Sequence, residues 1–156
     1  MFKIIAAVDE EGGMGKDGDL PWTIRNDLSF FRFMTIGDTV VAGRKTFENM
    51  GNLPDRRMIV LTSREDYDKG DLQAHSTASV KLYVSPHQTT WIGGGRSVYD
   101  QYLGTADEVV LSHVDGTYDC DMFFPMNKLN ENYEKNAEFE AEGFTVSRYK
   151  LSRCFL

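Results

Sequence analysis

The chain is built around short apolar runs, each of which stops at a loop rich in glycine, hydroxyl groups or cations. These runs occupy residues 2–8, 39–43, 57–63, 89–92 and 108–114. Strands of this length with little polar alternation are typical of a sheet that is covered on both faces. The pattern therefore predicts a mostly parallel central sheet whose strand ends gather loops along one edge.

Helical patterns fill the intervals between these runs. Thr23 is a suitable N-cap for a helix over residues 24–36, where Ile24, Leu28 and Phe31 recur at i, i+4 and i+7. The shorter elements predicted after it are a helix from Arg44, a strand over residues 73–76, a helical turn over residues 79–83 and a helix from residue 96 through about Tyr102.

The end of the chain has a different pattern. Residues 139–142 and 144–151 alternate apolar and polar side chains on either side of Gly143, as an antiparallel pair does. We therefore expect an α/β fold with a mostly parallel central sheet, flanking helices and an antiparallel C-terminal edge. We expect it to form a single domain over residues 1–156.

Charge and cysteine content exclude several classes of function. Lysine and arginine together number 17 against 24 aspartates and glutamates, a net charge of −7 that disfavours binding to nucleic acid or an anionic membrane. No apolar run approaches the roughly 18–20 residues that span a bilayer. Cys120 and Cys154 make neither a metal spacing nor a disulfide framework, so we expect no metal site and a cytoplasmic location.

A glycine-rich stretch follows the first apolar run. Residues 12–18 contain four glycines, and Asp19 follows them. Glycine weakens regular structure because it has the most conformational freedom to lose on folding. The composition predicts a mobile or sharply turned loop with no regular element.

Asp27 lies on the apolar face of the first predicted helix, three residues after Ile24 and four before Phe31. One interpretation is structural, since a carboxylate in the first turn is favoured by the helix dipole. The other is functional, because a buried carboxylate requires a cationic or hydrogen-bonding partner, such as the amidine-like edge of a ligand.

Cations and hydroxyl groups collect after two of the predicted strands. Gly43, Arg44, Lys45 and Thr46 follow one strand, and Thr62, Ser63 and Arg64 end another. Residues 44–64 hold five cations (Arg44, Lys45, Arg56, Arg57, Arg64) against Glu48 and Asp55, a local charge of +3. Each group alone is compatible with a solvated turn, but together they predict a phosphate site.

A third candidate site follows the run over residues 89–92. Gly93, Gly94, Gly95 and Arg96 stand between this strand and the next helix. Glycines there allow a pyrophosphate to approach the backbone closely, although a tight turn explains the same residues. The spacing is not that of the G-x-G-x-x-G dinucleotide motif.

Several blocks in fixed order resemble bacterial-type dihydrofolate reductases. The blocks cover roughly residues 4–125: Ile5-Ala6-Ala7-Val8, Met14-Gly15, Leu20-Pro21-Trp22, Asp27-Leu28, Phe31, Thr35, Gly43-Arg44-Lys45-Thr46-Phe47-Glu48, Leu53-Pro54-Asp55-Arg56, Leu61-Thr62-Ser63-Arg64, Ile92-Gly93-Gly94-Gly95-Arg96-Ser97-Val98-Tyr99, Leu111-Ser112-His113 and Asp121-Met122-Phe123-Phe124-Pro125. The resemblance implies a small cytoplasmic monomer that uses NADPH to reduce 7,8-dihydrofolate to 5,6,7,8-tetrahydrofolate. Antifolates are then expected inhibitors.

The resemblance also implies roles in the substrate half of the site. Asp27 would hold the 2-amino and N3 edge of the pterin and favour protonation at N5, with Ser112 supporting it. Arg56 would take the α-carboxylate of the glutamate tail, and Trp22 would hold a water near the pterin. The implied catalytic residues are Asp27, Trp22, Leu20 and Tyr99, and the implied substrate-binding residues are Ile5, Ala6, Asp27, Leu28, Phe31, Met50, Leu53, Arg56 and Ser112.

In the cofactor half, the family pattern implies that the loop from Met14 to Leu20 covers the nicotinamide. The charges near the adenosine would favour the 2′-phosphate of NADPH. The implied cofactor-binding residues are Ala7, Met14, Gly15, Gly18, Leu20, Gly43, Arg44, Lys45, Thr46, Thr62, Ser63, Arg64, Gly93, Gly94, Gly95, Arg96, Ser97, Val98 and Tyr99.

The chain departs from the family pattern in three places. Gly93 stands where the family usually has an aliphatic residue, which predicts a looser pocket. The glycine-rich loop predicts a more mobile lid, and residues 65–88 match too poorly to assign adenine contacts. Two alternatives stay open: a pyrimidine reductase of riboflavin synthesis, which does not require Asp27 with Arg56, and a nucleotide-binding relative without turnover.

Overall fold

An eight-stranded sheet runs through the computed structural model of the chain, which describes residues 1–22 and 25–152. The strands are β1 (Phe2–Val8), β2 (Gly13–Gly15), β3 (Thr39–Gly43), β4 (Arg57–Leu61), β5 (Leu72–Ala74), β6 (Thr90–Gly94), β7 (Glu108–Val114), β8 (Met122–Phe123), β9 (Tyr133–Ala141) and β10 (Phe144–Leu151). The helices are α1 (Arg25–Thr35), α2 (Arg44–Met50), α3 (Thr77–Tyr83), α4 (Arg96–Tyr102) and α5 (Met126–Asn132).

The main sheet has the strand order β5-β4-β3-β6-β1-β7-β10-β9, and β2 and β8 form a separate pair. All pairings from β5 to β7 are parallel, whereas β10 runs antiparallel to both β7 and β9. β1 is central, with Lys3 in register with Trp91 on one side and Glu108 on the other. The predicted mostly parallel sheet with an antiparallel edge is confirmed.

Helices cover both faces of this sheet and divide the core in two. Successive residues of β1 alternate between the halves: Ile4 packs with residues of α3, α4 and α5, whereas Ile5 packs with residues of α1 and α2. This two-sided burial explains why the strand sequences are almost entirely apolar. Among the residues that the structure describes, no helix is both long enough and apolar enough to cross a membrane.

Most predicted elements are present with small shifts in their bounds. The antiparallel pair is longer than predicted, because β9 begins at Tyr133 rather than at residue 139. All eight residues of β9 after Tyr133 are exposed, so this edge strand lacks the alternation that identifies a half-buried strand. Helix α5 was not predicted. The predicted N-cap Thr23, together with Ile24 and Cys154, lies outside the described residues.

The prediction that the glycine-rich stretch holds no regular element is wrong. Gly13–Gly15 forms strand β2, which pairs with β8. Asp9, at the end of β1, accepts hydrogen bonds from the backbone N–H groups of Glu11 (2.9 Å) and Gly13 (2.8 Å). These bonds, with the β8 pairing, compensate for the conformational freedom that the glycines lose.

Gly13 is also required by close packing. A Cβ atom added there would lie 2.4 Å from Cβ and 2.6 Å from Sγ of Cys120. Because Gly13 does not adopt a positive φ, the restriction is steric and not conformational. The side chain of Cys120 occupies the space that glycine leaves open.

Replacing Gly13 by alanine should therefore lower the free energy of unfolding by about 1–3 kcal/mol, as overpacking of a filled site does. Adding Cys120→Gly removes the opposing side chain and should restore much of that loss. Adding Cys120→Ala retains the Cβ atom and should restore less. Denaturant unfolding of the four proteins measures the order, and equal stability of the two double variants would contradict the packing argument.

Candidate active site at the carboxyl edge of the sheet

Residues singled out in the sequence come together at the carboxyl ends of the parallel strands. Ala7 near the end of β1 is in register with Ser112 of β7. Gly43 ends β3 and Gly94 ends β6, and the two strands are neighbours. Parallel pairing therefore brings segments that are far apart in sequence to one edge.

Asp27 is the buried charge of this site. Its side chain lies on α1 and is 7% exposed, and Ser112 is 2% exposed. Burial raises the pKa of Asp27, and the nearby Ser112 hydroxyl and Trp22 indole oppose that rise only in part. No cation among the described residues contributes to this balance. A ligand that donates hydrogen bonds and carries positive charge would stabilise the carboxylate.

Trp22 offers a second unsatisfied polar group in the same place. The indole is 6% exposed, and its Nε1 has no hydrogen-bond partner among the described residues. Its ring packs edge-on against Tyr118 with 5.4 Å between centroids. Because a buried donor without a partner is unfavourable, the position suits an acceptor supplied by a ligand or a water.

Partly exposed apolar side chains pack in the half of the core that contains Trp22, the neighbour of Asp27. Phe31, Met50 and Leu53 pack against the half of the core that contains Ile5 and Trp22. Leu28, one residue after Asp27, is 52% exposed. An apolar surface beside a charged group suits a flat, partly aromatic ligand.

Arg56 is held in place without a carboxylate partner among the residues that the structure describes. Its Nη1 donates to Oγ1 of Thr35 at 3.2 Å, and its Nε donates to the Pro54 carbonyl at 3.0 Å. The guanidinium lies 6.0 Å from the ring centroid of Phe31. Partial burial, followed by the nearby Arg32, lowers the pKa of Arg56. A fixed guanidinium of this kind is suited to a ligand carboxylate.

The backbones of β3 and β6 approach each other closely at the glycines. A Cβ atom on Gly95 would lie 2.9 Å from Oγ1 of Thr46, and one on Gly43 would lie 3.1 Å from Val98. Gly94 adopts a φ of +123°, which side chains rarely permit. Glycine at these positions makes room for the side chains of Thr46 and Val98, and Gly94 itself is buried.

Two of the predicted cations form ion pairs with neighbouring carboxylates. Arg44 pairs with Glu48 at 3.1 Å and Arg64 pairs with Asp66 at 3.4 Å. Lys45 is exposed. The hydroxyl of Thr62 accepts from the backbone N–H of Arg64 at 3.1 Å, and Ser63 is exposed. The donor set of lysine, arginine and hydroxyl groups fits a phosphate ester.

Tyr99 and Gly93 connect the site to the core. The Tyr99 hydroxyl donates to the Ile5 carbonyl at 2.8 Å, and burial raises the pKa of this tyrosine, so it stays protonated. A Cβ atom on Gly93 would lie 3.0 Å from Cγ1 of Val40. Glycine at this position thus accommodates Val40, and the looser pocket that the sequence suggests stays a prediction.

The remaining predicted residues are more dispersed. Ala6, Met14 and Val98 place their side chains in the other half of the core. Arg96 and Ser97 are exposed at the start of α4, and Arg96 donates to the Phe123 carbonyl at 2.9 Å. Leu20 is 45% exposed. The substrate contact of Ala6 and the cofactor contacts of the other residues in this group stay predictions.

The structure adds polar residues that sequence reasoning missed. The side-chain amide of Asn49 on α2 donates to the Gly18 carbonyl and joins the glycine-rich loop to that helix. Asp121 accepts from the backbone N–H of Asp17 at 3.0 Å. Asp9 was overlooked as well, although an aspartate directly after a buried strand is a signal for backbone capping.

Comparisons with known proteins agree on one family. A dihydrofolate reductase family model matches residues 1–153. The chain is 32% identical to a dihydrofolate reductase of Haloferax volcanii (96% of this chain, 82% of that protein) and 35% identical to that of Bacillus subtilis (80% and 76%). It superposes on dihydrofolate reductase from Enterococcus faecalis, solved with NADP(H) and the compound RAB-propyl, with a TM-score of 0.89 and 36% identity (98% and 97%).

Asp27→Asn should make the ligand-free protein more stable at neutral pH. Because burial raises the pKa of Asp27, ionising this group destabilises the fold as the pH rises above the ordinary aspartate value of 3.8. We expect Tm to increase by about 2–4 °C at neutral pH, equivalent to about 1 kcal/mol in a chain of this size.

Calorimetry over a pH series tests this expectation. The gain should shrink as the pH falls through 3.8 and vanish below it, where both states bind the proton. Asp68→Asn, at an exposed aspartate, is the matched control and should show no such pH-dependent gain. A wild-type protein as stable as Asp27→Asn at neutral pH would contradict the unfavourable burial of this charge.

Proposed function

The chain belongs to the dihydrofolate reductase family, and we propose that it reduces 7,8-dihydrofolate to 5,6,7,8-tetrahydrofolate with NADPH. The observation that carries this function is Asp27, a buried carboxylate beside Ser112 and Trp22 with no cationic partner among the described residues. The alternative of a pyrimidine reductase of riboflavin synthesis does not require Asp27 together with Arg56, and the relatives favour dihydrofolate reduction. A relative without turnover is disfavoured by the same residues.

Substrate binding follows from two groups of opposite charge. Asp27 accepts hydrogen bonds from the 2-amino and N3 edge of the pterin, and Ser112 fixes the carboxylate. Arg56, held by Thr35 and Pro54, takes the α-carboxylate of the glutamate tail bidentately. The apolar residues that support the rings between these groups are Ile5, Leu28, Phe31, Met50 and Leu53. Ala6 has its side chain in the other half of the core, so its proposed contact is through the backbone.

Protonation is assigned to the same carboxylate. Asp27 favours a proton at N5 of the pterin, either directly or through a water held near Trp22. Its raised pKa suits this role, because a group that ionises nearer the working pH transfers a proton more readily. Tyr99, fixed by Ile5, and Leu20 on the loop enclose the reacting face.

NADPH, when bound, supplies the hydride that is added to the carbon adjacent to N5. Gly94 and Gly95 would hold its diphosphate through their backbone, with Gly43 and Thr46 beside them. Arg44, Lys45, Ser63 and Arg64 surround the adenosine and favour its 2′-phosphate. The other proposed cofactor contacts are Ala7, Met14, Gly15, Gly18, Leu20, Thr62, Gly93, Arg96, Ser97, Val98 and Tyr99.

The molecule is proposed to act as a single-domain monomer in the cytoplasm. Both faces of the sheet are covered by its own helices. One edge strand, β5, has three residues, and the other, β9, exposes acidic side chains that discourage pairing with a second copy. Cys120 forms no disulfide within the part of the chain that the structure describes.

Oxidation of NADPH that depends on added dihydrofolate tests the function. Wild-type protein should turn over, and a diaminopyrimidine antifolate should inhibit it. Asp27→Asn should bind NADPH normally but lose about 100-fold or more of its turnover at pH 7, since acid–base groups contribute on that scale. The loss should be smaller in acid, where the solvent supplies more of the proton.

No turnover with wild-type protein at ample concentration would reject the function itself. Equal activity of wild type and Asp27→Asn at pH 7 would reject only the role of Asp27. NADPH binding, followed by fluorescence, separates a defect in chemistry from a loss of the cofactor site.

Cofactor preference gives an independent test of the cationic rim. The double variant Lys45→Ala, Arg64→Ala should lower the ratio of kcat/KM with NADPH to kcat/KM with NADH by about tenfold or more. The reason is that a hydrogen bond to a charged group contributes about 1.5–3 kcal/mol. Lys150→Ala, at an exposed lysine on β10, should leave the ratio unchanged. An unchanged ratio in the double variant would contradict the phosphate role.

A further inference from the structure

Asp9 is a buried carboxylate that the proposed reaction does not use. It directly follows β1 and is 2% exposed. Its Oδ1 accepts from the backbone N–H groups of Glu11 at 2.9 Å and Gly13 at 2.8 Å. Its Oδ2 accepts from the backbone N–H of Tyr118 at 3.1 Å and from the thiol of Cys120 at 3.5 Å. One oxygen therefore holds the glycine-rich loop and the other holds the segment after β7.

The two segments that Asp9 joins are also linked to each other by backbone hydrogen bonds. The backbone N–H of Asp121 donates to the Gly15 carbonyl at 2.9 Å, and that of Phe124 donates to the Gly12 carbonyl at 3.0 Å. The backbone N–H of Asp9 donates to the Gly13 carbonyl at 2.8 Å, and the Asp9 carbonyl accepts from the backbone N–H of Gly12 at 3.0 Å. Asp9 is thus at the base of two joined segments, residues 12–20 and residues 116–124. We call this pair of segments the lid, because the family pattern implies that residues 14–20 cover the nicotinamide.

A second route leads from Asp9 toward the reacting groups. The N–H of Tyr118 is fixed by Asp9, and the Tyr118 ring packs edge-on against Trp22. Trp22 lies beside Asp27 and affects its pKa. Asp9 therefore contacts the lid directly and, through Tyr118, supports the indole of Trp22 beside Asp27.

We propose that Asp9 is a positioning residue for hydride transfer, which sets the lid and, through Tyr118, the indole of Trp22. The inference rests on the proposed function for its kinetic consequence. An ionised carboxylate suits this position because all four of its partners are donors. Burial opposes the ionisation of Asp9, but the hydrogen bonds from Gly13, Tyr118, Glu11 and Cys120 outweigh it and lower the pKa.

An amide cannot satisfy both sides. In Asp9→Asn the remaining oxygen still accepts from Glu11 and Gly13, or else from Tyr118 and Cys120, but the NH₂ group then faces an N–H donor. The substitution preserves the size of the side chain but prevents it from accepting hydrogen bonds from both segments. Asp119→Asn is the matched control, because Asp119 also pairs across the two segments, with Lys16 at 3.2 Å, but is 96% exposed.

The experiment combines hydrogen exchange of the ligand-free protein with single-turnover kinetics. In Asp9→Asn, amide exchange should accelerate at least tenfold in residues 11–15 or 118–121, with β4 and β7 unchanged. The rate of hydride transfer should fall about tenfold, while KM for dihydrofolate changes less than twofold. Asp119→Asn should match wild type in all three measurements.

Unchanged lid exchange and hydride transfer in Asp9→Asn would overturn the proposal. Faster exchange throughout the core, or equal losses in hydride transfer and KM, would also overturn it by showing a purely structural role. If Asp9→Asn does not fold, Tyr118→Ala and Tyr118→Phe decide together. The alanine variant keeps the backbone N–H that binds Asp9 but loses the ring contact with Trp22, whereas the phenylalanine variant loses only the hydroxyl bond to the Asp115 carbonyl. Slower hydride transfer in Tyr118→Ala than in Tyr118→Phe supports the proposal, and equal rates refute it. The exchange data need no turnover, so failure of the proposed function is seen separately in wild-type protein.

Discussion

The burial of Asp27 without a cationic partner among the described residues is the constraint on which the site depends. An ionised carboxylate in an apolar setting is unfavourable, and Ser112 and Trp22 offset the penalty only in part. Such a charge persists only on a rigid support. Helix α1 provides it by packing Phe30, Phe31 and Met34 against the core, and the parallel pairing of Ala7 with Ser112 fixes the hydroxyl. The fold holds the charge ready for a ligand.

The substrate half and the cofactor half of the site depend on different interactions. The substrate half places a buried anion and a fixed guanidinium on either side of apolar side chains, so geometry determines what fits. The cofactor half combines closely packed glycines with partly exposed cations that form pairs with Glu48 and Asp66. Its electrostatics are therefore more sensitive to salt. The net charge of −7 lies mostly elsewhere, including the exposed acidic side chains of β9.

Sequence reasoning found what is determined by hydrophobic pattern. The central strands are recognisable because both faces are buried, and Asp27 stands out because it interrupts an apolar helix face. Helix α5 was missed because it buries only Leu129. The start of β9 was missed because pairing with β10, and not burial, holds residues 134–138 in a strand. Asp9 was missed although its place directly after a buried strand is a capping signal, because residue spacing does not show which backbone N–H groups a carboxylate binds.

The packing of Gly93 has a consequence for how this protein can change. β3 and β6 lose their regular register here, since Val41 pairs with Ile92 and Ala42 with Gly94, which leaves Gly93 without a counterpart. A side chain at residue 93 meets Val40 on the neighbouring strand. The floor of the cleft is therefore a property of two positions together. An aliphatic residue there requires Val40 to shift by a few tenths of an ångström or residue 40 to be shortened, so the effect of mutations at this site depends on their order.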